Sequence, residues 1–70
     1  MIKQLERKIE ELKAKRQNIK KYVEENKNNP EAQDLVNIAK GQSIELLEQI
    51  RYLKQLVSDI TKITQELRGE

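Results

Sequence analysis

The sequence predicts an all-α protein, an antiparallel two-helix coiled-coil hairpin, and three observations carry that prediction. Of the 70 residues, 37% are charged, while glycine and proline together number three, a balance suited to long helices. Apolar side chains recur at alternating steps of three and four along most of the chain, the spacing of an amphipathic helix seam. One strong turn signal, Asn28-Asn29-Pro30, divides this pattern into a shorter and a longer arm.

The first helix is expected at about 2–28. Its seam runs through Ile2, Leu5, Ile9, Leu12, Ile19 and Val23 and is interrupted at Arg16 and Asn26. The pattern fades over Glu24–Asn29, where asparagines favour turns and tolerate left-handed backbone angles.

The second helix is expected at about 31–68. Asn29 is suited to cap free N–H groups, Pro30 to the first helical position, and Glu31 and Asp34 to the positive end of the helix dipole. From there Ala32, Val36, Ala39, Ser43, Leu46, Ile50, Leu53, Val57, Ile60, Thr64 and Leu67 keep the spacing without a slip. Gly41 is the one breaker in that run, and a stop there gives the alternative of three helices. The unbroken phase of the seam across Gly41 favours a single helix.

Both helices rise by about 1.5 Å per residue, so facing positions in a hairpin have residue numbers with a constant sum. Pairing Val23 with Val36, Ile19 with Ala39, Leu12 with Leu46, Ile9 with Ile50 and Leu5 with Leu53 gives 58 or 59 throughout. The same register sets Arg16 opposite Ser43, which puts the polar interruptions of both arms in one layer. Gly41 and Ser43 are expected to leave room for the guanidinium, with Glu45 or Glu48 as its ionic partner. The whole of 1–70 forms one domain on this reading.

The longer arm extends past the shorter one and carries a wider apolar face. A helix that buries one narrow stripe against one neighbour has no use for large apolar residues on its flanks. Leu35, Leu47, Leu56, Ile60, Ile63 and Leu67 are therefore the expected contact residues of a homodimer, two hairpins forming a four-helix bundle through their second helices. The alternative occupant is a different protein that takes the C-terminal half of the second helix into a groove.

Charge is unevenly distributed. Residues 1–28 hold nine Lys or Arg against five Glu, whereas residues 29–70 hold five against seven acids. Lys13, Arg16, Lys20 and Lys27 form one stripe beside the first seam, which gives RNA or DNA binding as the alternative function. The bland account has these stems lying over the seam and pairing with acids of the second helix.

No catalytic function is expected. The chain has neither cysteine nor histidine, which removes thiolate and imidazole chemistry and the commonest zinc ligands. No glycine-rich phosphate loop is present, and the paired glutamates are spaced as solvated surface charges. Neither metal nor cofactor is implied. No apolar run is long enough to span a bilayer and no signal peptide is evident, so a cytoplasmic protein with no membrane role is expected.

The stretch Leu12-Lys13-Ala14-Lys15-Arg16-Gln17-Asn18, followed by Lys20-Lys21, a loop and a second heptad helix, resembles the tRNA-binding arm of seryl-tRNA synthetases. The likeness lies in residue types and implies a hairpin shape, not aminoacylation. The small hairpin phosphatases of sporulation phosphorelays are similar in size and topology, but their Ser-Gln-x-Leu-Asp signature is absent, since Ser43 is followed by Ile44.

Overall fold

The computed structural model describes residues 1–69. Helix α1 spans Ile2–Asn26, a short 3-10 turn spans Pro30–Ala32, and helix α2 spans Gln33–Arg68. The two long helices pack against each other as an all-α hairpin with a long dimension of 61 Å.

The core is narrow because each helix contributes one stripe. Ile9 and Leu12 of α1 meet Leu46 and Ile50 of α2 in a buried cluster, with Ile19, Leu53 and Val57 packed around it. Val36 and Ala39 continue the buried stripe of α2 towards the turn, where Ala32 is also buried. Only five of the buried residues are large aliphatics, each contributing about 1.5–3 kcal/mol of burial, so the hairpin sits near the lower limit of size for a self-sufficient core.

α2 runs unbroken through Gly41, so the three-helix alternative does not occur. No residue in the described chain has a positive φ, Gly41 included. α1 stops at Asn26, two residues earlier than expected, and the asparagines achieve the reversal without left-handed angles. The Asn26 carbonyl accepts from the Asn29 N–H at 3.0 Å, which tightens the exit from α1.

Entry into the second arm follows the expected chemistry with one added element. Asn29 Oδ1 accepts from the Glu31 N–H at 3.1 Å, and Pro30 opens the 3-10 turn. The extra brace is Gln33, whose Nε2 donates to the carbonyls of Lys27 at 3.1 Å and Asn29 at 2.8 Å. A side chain of the second arm thus reaches back to the Lys27 carbonyl just past the end of the first, and shares the Asn29 carbonyl with the Ala32 N–H.

Candidate interaction surfaces

α2 is 36 residues long and α1 is 25, so the far end of α2 has no partner helix. Its last buried residue is Ile50. Beyond Val57, Ile60 and Thr64 are half-buried, whereas Ile63 and Leu67 are 57% and 78% exposed. Thr64 Oγ1 donates to the Ile60 carbonyl at 2.9 Å, which occupies the hydroxyl within its own helix.

The six apolar residues expected to form one contact face divide between three places. Ile60, Ile63 and Leu67 belong to the projecting tip, although Ile63 also continues one flank. Leu35 and Leu56 lie on that same flank: Leu35 and Gln42 share a groove with Lys15, Ile19, Tyr22 and Ile38, and Gln49 shares another with Lys8, Leu12 and Tyr52. Leu35, Gln42, Gln49, Leu56 and Ile63 follow one another at intervals of seven and stay on one side of the helix. Leu47 stands on the opposite flank, because it lies seven residues beyond Lys40, which lines a groove with Lys20, Val23, Ser43 and Ile44. A single flat partner therefore cannot cover all six.

Three further apolar residues belong to these surfaces and were not singled out as contacts by periodicity. Ile38 and Tyr52, 58% and 69% exposed, widen the Leu35 flank, and Ile44 widens the Leu47 flank. Their signal in the sequence was apolar residues one position out of phase with the seam, before it at Ile38 and Tyr52 and after it at Ile44, partly masked by intervening glutamines.

At the polar layer, the Arg16 Nε donates to the Ser43 backbone carbonyl at 3.1 Å, and Ser43 itself is buried. Arg16 makes no ion pair with Glu45 or Glu48 among the described residues. Gly41 does not make room for it either: a Cβ there meets nothing within 4 Å, because the residue faces outward.

The basic stripe is locally neutralised. Lys13 pairs with Glu10 at 3.4 Å and Lys27 with Glu24 at 2.7 Å, both one turn away on α1. Lys8–Glu11 and Lys21–Glu25 complete the set, so every ion pair among the described residues joins near neighbours on α1 or at its C-terminal cap, and none crosses to α2. The lysines pair with near neighbours because i to i+3 or i+4 spacing brings the charges together without any tertiary adjustment. Lys20 makes no ion pair among the described residues and shares its groove with Glu24 and with Lys40 of α2.

No family model, curated protein or solved structure is significantly similar to this chain.

Among the described residues no helix is long and apolar enough to cross a membrane, and no group of three or more acidic, histidine or cysteine side chains is placed to hold a metal ion. The features that distinguish this surface are its uncovered apolar flanks and tip.

Proposed function

We propose that the protein is a non-enzymatic interaction module, a helical hairpin that self-associates through α2 into a four-helix bundle and presents the remainder of α2 to a larger assembly. The observation that carries this reading is the row of large apolar side chains along α2 that α1 leaves uncovered: Leu35, Ile38, Tyr52, Ile63 and Leu67 are each more than half exposed. Scattered singly such residues are ordinary, but their clustering at both ends of one flank of a single helix marks an association surface.

Light scattering at micromolar concentration tests it. The expected mass is twice that of the chain, and Leu35→Glu combined with Leu56→Glu returns it to one, since each change sets an unpaired charge into an apolar contact. A wild-type protein that stays monomeric throughout this range defeats self-association.

A second reading, binding of RNA or DNA, is favoured by one observation, the convergence of Lys20 and Lys40 from the two helices on one groove in which the only carboxylate, that of Glu24, pairs instead with Lys27. Binding of this kind weakens steeply with salt and with Lys20→Ala plus Lys40→Ala. No binding of a mixed RNA pool at low salt eliminates it.

A further inference from the structure

We propose that the partner of the Leu35 flank is a second copy of this chain, packed antiparallel, with its two-fold axis passing beside Glu45. This rests on the self-association reading above and specifies its geometry. Leu35, Ile38, Gln42, Glu45, Gln49, Tyr52 and Leu56 form a second stripe on α2, again at alternating steps of three and four, displaced to one side of the stripe that packs on α1. Read from either end it has the same order: two large apolar residues, a glutamine, Glu45, a glutamine, two large apolar residues.

That symmetry is the requirement of a two-fold interface, in which the same patch must complement itself. Antiparallel pairing centred on Glu45 sets Leu35 against Leu56 of the second copy, Ile38 against its Tyr52, and Gln42 against its Gln49. Paired residue numbers then sum to 90 or 91, the same one-unit alternation that describes the hairpin itself.

The relief of the surface fits this pairing. At one end of the flank Ile19, Tyr22, Leu35 and Ile38 line an apolar groove; at the other, Leu12, Tyr52 and Leu53 line a second. Antiparallel docking brings the first groove of each copy to the exposed Tyr52 of the other. Between them a third groove has Ile19 and Leu46 in its lining together with the polar side chains of Lys15, Gln42, Glu45 and Gln49. The two glutamates that meet at the axis are thereby flanked by one Lys15 from each copy, so the central charge is balanced.

Length is sufficient as well. Residues 35–56 cover about 33 Å of helix, and a strip of that length roughly 20 Å wide covers on the order of 650 Å² per copy, close to the ~800 Å² of a standard stable interface. Leu47 and the tip beyond Ile60 remain outside this contact.

The chain has no cysteine, so single cysteines introduced at Glu48→Cys, Gln55→Cys and Lys62→Cys carry spin labels at one site each. All three positions are exposed and repeat at intervals of seven along α2, Glu48 at the groove lined by Leu12 and Tyr52 and the other two beyond it. Dipolar distances between copies have an expected axial component of about 9, 30 and 51 Å, rising in that order by ~21 Å per step. Equal distances at all three sites overturn the antiparallel arrangement in favour of a parallel one, and distances that fall from Glu48 to Lys62 overturn it in favour of joining through the tips. In either case self-association itself stands. Absence of any intermolecular distance, with a monomeric mass by light scattering, defeats both.

Discussion

Arg16 of α1 donates its Nε hydrogen to the backbone carbonyl of Ser43 on α2, at 3.1 Å. A carbonyl has two lone pairs, so an acceptor in the middle of a helix can take this bond in addition to its helical one. The guanidinium is therefore held by backbone, which does not depend on the identity of a surface acid. A slip of one residue between the helices displaces the acceptor by about 1.5 Å and turns it by ~100°, which breaks the bond. Arg16→Ala removes both the bond and the stem that packs over the seam, for an expected loss of about 1 kcal/mol, or a fall of ~4–8 °C in Tm. An unchanged melting curve refutes a register role.

Gly41 lies in the interior of a 36-residue helix with helical backbone angles and open space where a side chain would be. Gly41→Ala is expected to stabilise the protein by about 1 kcal/mol through higher helix propensity and a less flexible unfolded chain. The urea midpoint measures this. A destabilised variant indicates that another helix lies against the outer side of α2 at this point.

The turn is held by side chains as well as backbone. Asn29→Ala loses the cap on the Glu31 N–H and is expected to cost about 1 kcal/mol, while Gln33→Ala removes one bond each from the Lys27 and Asn29 carbonyls, the latter keeping the Ala32 N–H, at a smaller cost because both bonds are exposed. Chemical denaturation of the two variants should preserve that order; the reverse order makes Gln33 the principal clamp.

Amide hydrogen exchange should grade along α2. Protection is expected to be greatest around Leu46 and Ile50, within the buried cluster, and to decline beyond Val57, where no described residue of the helix is fully buried. Amides at 60–67 as slow as those at 46–50 reveal a covered tip, and contradict a dimer centred on Glu45.

Salt is expected to have little effect on the fold. All four ion pairs are exposed and made between neighbours on α1, an arrangement worth only a few tenths of a kcal/mol each. Raising ionic strength tenfold should shift the unfolding free energy by less than ~1 kcal/mol, and a larger loss points to charge contacts between the helices.

The hairpin was legible because its two decisive signals are local. The three-four spacing carried α2 through Gly41, and Asn29-Pro30 marked the second start. The facing of Arg16 and Ser43 followed from a constant rise per residue in both arms. What escaped was what depends on competition between acceptors. Nothing in residue type says that Arg16 chooses a carbonyl over Glu45, that Gln33 reaches back across the turn, or that the lysines of α1 pair within their own helix. The exposed apolar residues of α2 were legible as types but not as a surface, since Leu47 and Leu35 are similar side chains separated by the seam between them.

The absence of charge pairs between α1 and α2 has a consequence for how the chain recognises itself. Nothing ionic among the described residues distinguishes the α1 of one copy from that of its neighbour, and an apolar seam with a single polar layer is equally complementary to both. Choice between them falls to the tether, which keeps its own helix at an effective concentration in the millimolar range for a short linker. The three residues from Lys27 to Asn29, braced by Gln33, act as the selectivity element of the fold, and lengthening or loosening them is the route by which closed hairpins become chains with exchanged arms.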